Sequence, residues 1–487
     1  MVATPSGCVG NRWQKHFMWC FAYLLIYLII NSYLLGRPGL HQDEVLDWQG
    51  SATDTYAAAG RWGLYLWRIV MGEGAFPVTA GVIAGVFIAV ALHIQTILLA
   101  ISSNFSRFLF AGIYLSCPQW ASQLVYSYQC DAVAFGLLCA TSSVFLLRRG
   151  YYLPAIITLV AALSFYQTIG IYFFVLLVCV ELCHGTSVLR KVYLLYSGVV
   201  VSALFLYSAI NWGIKASSLI SEASAIYMAN VQEDLNQWRT FANLQPLDQF
   251  IFVAHYIKVA IYNALGIGRE AHFVYATALF PLGVLLRRQF RCHTMKDACV
   301  RTFLLLTVWI SPFVLTIITG VEQGQRVALA EPLSLACLWS LAVRGWVFNA
   351  PQRAFIVGCL SFALLKTAYS VSSSARDFAY EYQHAAHELR EMYFSARTLA
   401  RENGIGDCPV IVFGRPQNNQ YEPGKVSPAL FKTGCLNWFA SHYRMHQFRE
   451  GCSADMKRHV KEYQSMPVWP APGSMRISMG EVIIRIH

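Results

Sequence analysis

Apolar runs close to the length that spans a bilayer recur along this chain, and they exclude most other folds. A hydrocarbon core about 30 Å thick takes roughly 20 residues of helix. In lipid, only helices and closed barrels satisfy their own backbone polar groups. The runs fall at residues 17–35, 77–100, 107–117, 131–147, 152–165, 169–183, 192–211, 273–286, 302–319, 329–343 and 354–372. They predict a polytopic α-helical membrane protein with about eleven spans, or nine if the short runs at 107–117 and 152–165 pair as re-entrant hairpins. Only 13% of the residues are charged and the mean hydropathy is +0.44, against roughly 25% charged in soluble domains. No HExxH, Walker A, GxSxG or dinucleotide fingerprint occurs, so soluble-enzyme classes lack support.

The net charge of +11 raises the question of nucleic acid, but the basic residues sit in short loops between apolar runs. Arg12 and Lys15 precede the first run, Arg148 and Arg149 follow the fourth, and Arg190 and Lys191 follow the sixth. Arg287, Arg288, Arg291, Lys296 and Arg301 crowd one loop against a single acid, Asp297. This is the positive-inside pattern. It predicts a cytoplasmic N-terminus, an external C-terminus and no nucleic-acid partner. The first run has no small-residue cleavage site after it and is expected to stay as a helix. Residues 1–374 then form the membrane domain, with large external loops at 36–76 and 211–272. Within the first of these, 50–71 reads as an amphipathic helix lying on the membrane, with Arg68 on it. The remainder, 375–487, reads as a small external α/β domain. It has an amphipathic helix at 376–402, a buried-type strand at 409–413 and a closing strand at 481–486. Cys408, Cys435 and Cys452 offer it one disulfide in an oxidising compartment.

The chemistry-bearing residues gather outside. Directly after the first run come Asp43, Glu44, Asp47 and Asp54, set between Arg37 and Arg61, with Trp48 and Trp62 interleaved. Charge at a membrane boundary is costly unless it serves a purpose. On a helix, Asp43 and Asp47 share a face while Glu44 points about 100° away. Asp43 suits either a helix cap or a general base that deprotonates an attacking hydroxyl. Arg326, in the segment VEQGQR with Glu322, suits either bidentate phosphate contact or an interfacial snorkelling role. Asp131 opens the fourth span as an N-cap or a cavity acid. Tyr166 and Gln167 separate two short spans, where a glutamine also serves unwound backbone. By the topology above, Asp43, Asp131, Gln167 and Arg326 all fall at one face.

Asp43-Glu44 followed by Gly60-Arg61-Trp62, the internal Tyr166-Gln167, and the ending MPVWP with Gly473 and the strand VIIRI together carry a resemblance. They resemble the phage-type O-antigen glucosyltransferases that convert bacterial serotype, the Gtr family, glucosyltransferase type II group. The acid pair is Asp-Glu where that family more often has two aspartates. The resemblance implies a GT-C-like integral-membrane glycosyltransferase of the bacterial inner membrane. Such an enzyme passes glucose from undecaprenyl phosphate glucose to a hydroxyl of lipid-linked O-antigen on the periplasmic face, in one inverting displacement. It implies Asp43 or Glu44 as base, and Arg326 with Arg61 on the donor phosphate. Asp131, Tyr166, Gln167, Trp62 and Glu322 are then expected to line the substrate cavity. A companion donor synthase and flippase would supply the lipid sugar. No organic cofactor is implied, and one carboxylate pair does not define a divalent metal site. Two other classes suit many spans with polar groups: a transporter or flippase of polyprenyl-linked saccharide, and an O-antigen acyltransferase, for which His93 is the isolated histidine.

Overall fold

The structure is a computed structural model. It describes residues 7–36, 56–71, 77–117, 119–124, 127–184, 189–217, 246–265, 273–292, 294–314, 328–344, 349–405, 408–413, 448–450, 455, 458–469 and 471–486. Contacts divide the described residues into two units, one up to Ser372 and one from Ser373 onward.

The first unit is helical. In chain order its helices are α1 (Gly7–Gly36), α2 (Trp62–Met71), α3 (Pro77–Leu98), α4 (Asn104–Leu115), α5 (Gln119–Leu124), α6 (Ser127–Arg148), α7 (Tyr152–Phe165) and α8 (Ile169–His184). They continue as α9 (Leu189–Ala216), α10 (Pro246–Ala264), α11 (Phe273–Ala276), α12 (Leu279–Cys292), α13 (Met295–Ile310), α14 (Ala330–Val343) and α15 (Ala350–Glu402). Local chemistry sets several starts. Pro77 occupies the first position of α3, where its missing N–H costs nothing. Ser103 caps α4 by accepting from the Ser106 N–H, and Thr294 caps α13 by accepting from the Asp297 N–H.

Among the described residues, four stretches are long and apolar enough to cross a membrane: Trp13–Ser32, Val78–Leu98, Gln129–Arg148 and Leu195–Ala216. Tyr152–Phe165, Ile169–His184 and Ala330–Val343 are shorter apolar helices. The chain is a helical membrane protein. At its centre α3 packs between α1 and α6, α6 also meets α7 and α8, and α14 meets α4, α8 and α12. One end of this bundle is basic. There the Arg148 guanidinium bonds Glu181 at 2.9 Å, Arg344 donates to the Cys183 carbonyl at 3.0 Å, and Arg288 donates to the Arg344 carbonyl at 3.1 Å.

Two expectations change in detail. The stretch over 50–71 is not one surface helix in its described part, because Gly60 takes a positive φ of 81° and α2 restarts at Trp62. Helix α2 also packs on α6 and α7, and Arg68 is buried rather than lying at the interface. The expected break between a last span and an amphipathic helix near residue 374 is absent, since α15 runs unbroken for 53 residues. Its stretch KTAYSVSSSAR contains neither proline nor glycine, so composition changes there without a chain-breaking residue.

In the second unit, Leu389, Met392, Ala396 and Ala400 of α15 are buried, and the expected partner Leu399 is half-buried. The unit continues with β1 (Val410–Phe413), β2 (Phe448–Glu450), α16 (Val460–Ser465), β3 (Met475–Ser478) and β4 (Glu481–Arg485). The sheet order is β2-β1-β4-β3, with β1 parallel to β2 and β4, and β3 antiparallel to β4. Val410 pairs with both Phe448 and Val482, so β1 is central, and all four of its residues are buried. Ile411, Phe413, Met466 and Ile483 form the core. Cys408 is buried with a free thiol, while Cys435 and Cys452 lie outside the described residues.

Candidate active site

Asp43, Glu44, Glu322 and Arg326 lie outside the described residues. The other expected residues form two groups on the segment that leads from the acid stretch into α2.

The first group is built around the turn at Gly60. The Gly60 N–H bonds the Ala57 carbonyl at 3.0 Å and the Arg61 N–H bonds the Tyr56 carbonyl at 2.8 Å, closing a short helical turn. The left-handed φ of Gly60 suits a residue without Cβ. Space demands the same: a Cβ there would lie 2.7 Å from the Tyr207 Oη and 3.0 Å from the Gln167 Nε2. Gln167, at the α7–α8 junction, donates to the Ala59 carbonyl at 2.9 Å and to the Tyr207 hydroxyl at 3.0 Å. Tyr207 in turn donates to the Gly60 carbonyl at 2.9 Å. Gln167 thus serves not the backbone of its own junction but that of Ala59, 108 residues earlier. Arg61 then lies with its guanidinium 4.4 Å from the centre of the Tyr166 ring, a cation–π contact that fixes the charge without neutralising it. The Arg61 Nε, the Trp62 Nε1 and the Asn211 Oδ1 are buried atoms without a partner. Two close approaches lock the turn to α7, because Gly63 lies so near Ser164 that a Cβ would stand 2.1 Å from its Oγ and 3.0 Å from its carbonyl carbon.

The second group centres on Asp131, which lies one turn inside α6 rather than at its cap. Its carboxylate pairs with Arg68 and also accepts from the Trp67 Nε1 at 2.9 Å and from the Ala132 N–H at 2.8 Å. The pair is almost wholly buried, with the two side chains 4% and 2% exposed. Trp67 stacks on Phe135 at 5.0 Å and meets Phe165 edge-on at 6.0 Å, which walls the pair off. Asp131 thus does not join Arg61, Tyr166 and Gln167 directly. It grips the same short helix further along, at Trp67 and Arg68.

Tyr207 and Asn211 were missed by sequence reasoning. Their only signal is a tyrosine and an asparagine one turn apart at the end of an apolar span. Chemically, the Gly60 turn carries a guanidinium and an indole N–H, which suit an anion. Among the described residues no group of three or more His, Cys, Asp or Glu side chains is placed to hold a metal ion.

No curated protein and no solved structure matches the chain. The family model described as Glucosyl transferase GtrII matches residues 41–336, from the acid stretch into α14 and more than half of the chain. The protein is a membrane glucosyltransferase and belongs to the GtrII family.

Proposed function

We propose that the enzyme moves a glucosyl group from undecaprenyl phosphate glucose to a sugar hydroxyl of lipid-linked O-antigen at the periplasmic face of the bacterial inner membrane, giving serotype conversion. The bundle then has about eleven spans, with a cytoplasmic N-terminus and a periplasmic C-terminal unit. A companion synthase and flippase supply the lipid sugar. Asp43 or Glu44 removes the proton from the attacking hydroxyl as the oxygen closes on the anomeric carbon. The bond from that carbon to the phosphate oxygen breaks on the opposite side, and the configuration inverts. Arg326 and Arg61 take up the charge on the departing phosphate. Asp131 and Glu322 shape the cavity, together with Tyr166, Gln167 and Trp62.

The observation that carries this reading is Arg61. A guanidinium held over Tyr166 with its Nε unpartnered suits an anion, and the acid stretch that would supply the base precedes it in the chain. A transporter would need such groups at both faces, while the Gly60 turn and Asp131 both bear on one segment.

Asp43→Asn and Glu44→Gln, made separately and assayed in membranes supplied with the lipid-linked donor, test the base. One of them is expected to lose transfer by about 10²–10⁴-fold while inserting normally. Wild-type transfer by both variants sinks the assignment. Arg61→Ala is expected to raise the donor KM far more than Arg61→Lys.

A further inference from the structure

A cavity of about 260 Å³ lies at the basic end of the bundle, where the α3–α4 connection meets the last turns of α8 and α14. Ser102, Ser103, Ser106, Cys183, Ser340 and Arg344 are among its lining residues. The connection is held in shape by its neighbours. Ala100 follows α3 at a φ of 51°, a left-handed conformation that a residue with a Cβ rarely adopts. His184 joins the Leu98 carbonyl at 2.9 Å, and the Arg107 Nε donates to the Ile101 carbonyl at 2.9 Å. The Gly60 turn is a different place. Gln167 stands just before α8 and Cys183 near its far end, and the 16 residues of that helix span roughly 24 Å.

The lining is polar and carries a cation but no carboxylate. Arg344 donates to the Cys183 carbonyl at 3.0 Å, and among the described residues no acid pairs with it. Glu181, two residues before Cys183, is taken up by Arg148 at 2.9 Å. The Ser103 hydroxyl donates to the Ser106 Oγ at 2.7 Å, which leaves the Ser106 proton to be given elsewhere. The Ser340 Oγ has no hydrogen-bond partner. The positive end of α4 adds to the same field. A guanidinium with several hydroxyl donors and no acid suits an anion with several oxygens, of which phosphate is the type. The volume falls just below the roughly 300–1,000 Å³ of sites for drug-sized ligands, so it suits a headgroup rather than a saccharide chain. Basic pockets between spans at a cytoplasmic face are where anionic headgroups bind.

We propose that this cavity is a second binding site, which holds a phosphate group carried by an anionic phospholipid headgroup or by a free phosphate ester. It stands apart from the Gly60 turn and depends on neither the proposed donor nor the proposed acceptor.

The test uses the full-length enzyme purified in detergent. Native mass spectrometry follows the binding of phosphatidylglycerol, phosphatidylcholine and glycerol phosphate as each is titrated. Wild type is expected to hold one phosphatidylglycerol at least about tenfold more tightly than phosphatidylcholine, since hydrogen bonds to a charged group are the stronger ones. Arg344→Gln should weaken that binding at least about tenfold, and Arg344→Lys by less. Ser340→Leu, which narrows the cavity and leaves the guanidinium in place, should weaken it as well. Arg291→Gln removes an exposed arginine of α12 that does not line the cavity, and it should bind as wild type does. Phosphatidylglycerol lost in the cavity variants assigns the site to a lipid, and saturable glycerol phosphate lost in them assigns it to a free ester. Phosphatidylglycerol held no better than phosphatidylcholine, with glycerol phosphate unbound, overturns the site. Binding kept by Ser340→Leu or by folded Arg344→Gln, or lost equally in Arg291→Gln, overturns it too. None of these readouts measures sugar transfer, so failure here leaves the proposed function untouched.

Discussion

The buried pair of Arg68 and Asp131 gives the sharpest quantitative test of the fold. Its carboxylate accepts from three donors: the Arg68 guanidinium, the Trp67 Nε1 at 2.9 Å and the Ala132 N–H at 2.8 Å. Removing Arg68 alone, as Arg68→Met, leaves a charge 2% exposed with two neutral donors. Breaking a buried pair costs about 3–5 kcal/mol, and the two remaining N–H groups place the expected loss near the lower figure, about 3 kcal/mol. Trp67→Phe removes one hydrogen bond to a charged group but keeps the ring that stacks on Phe135, so its loss is expected at about 1.5–3 kcal/mol. Replacing both charges, as Arg68→Met with Asp131→Leu, deletes the desolvated ions together and is expected within about 1 kcal/mol of wild type. Denaturant titration in mixed micelles, followed by far-ultraviolet circular dichroism, reads all four proteins. A loss under about 1 kcal/mol for Arg68→Met, or a double variant no more stable than Arg68→Met, refutes the reasoning. The double variant also separates two roles of Asp131. Stable and active means that the carboxylate holds α2, and stable but inactive means that it also meets substrate.

Three further tests follow from the geometry. Gly60→Ala is expected to cost about 1–2 kcal/mol from backbone alone and more from the 2.7 Å approach of Tyr207, with transfer activity falling in parallel in membranes of matched expression. Gly63→Ala is expected to disrupt the α2–α7 contact, and Ser164→Gly should restore part of the loss, because the Oγ leaves while the backbone carbon at 3.0 Å stays; insertion and activity of the single and paired variants measure this. In the C-terminal unit, His459 is fully buried and joins the Ser478 Oγ at 2.9 Å to the Glu481 carboxylate at 2.7 Å. His459→Ala is expected to cost about 2–4 kcal/mol by cavity and unpaired polar groups, seen as faster proteolysis of that unit with the membrane bundle intact.

Where the sequence was legible, a local pattern carried the information. The run PVIVF and the closing VIIRI announce buried strands, and β1 and β4 lie within a residue of those limits. Strand β3 had no such announcement. Its hairpin turns on Met479 and Gly480, both at positive φ, and a methionine there lacks the Asn-Gly or Asp-Gly signal of that turn. The two site groups divide in the same way. Arg61, Tyr166 and Gln167 were visible as short motifs, and the structure brings them together. Tyr207 completes their network from a helix 40 residues further along, which no local spacing reveals. Arg68 was placed at the membrane surface because its neighbours are amphipathic. Its partner is 63 residues away, and only the fold shows that this arginine points inward.

The polar contacts around α2 also explain why its approach must be rigid. Gln167 holds Ala59 from the α7–α8 junction, Tyr207 holds Gly60 from α9, and Asp131 holds Arg68 from α6. Two helices and a junction between helices thus fix one short segment at both its ends. The Arg68–Asp131 contact is buried among apolar groups, where a lost partner is expensive and alternative partners are few, while the Gln167 contacts lie at an exposed position. Such contacts permit one arrangement and penalise its neighbours. Arg61 lies between two of these anchors, so the position of its guanidinium is set before any ligand arrives. The proposed stabilisation of a departing phosphate by Arg61 would depend on just that, since a charge that must first reorganise contributes less to the transition state than one already in place. Gly60 is what allows it: only a residue without Cβ lets Tyr207 and Gln167 close on the backbone immediately before the arginine.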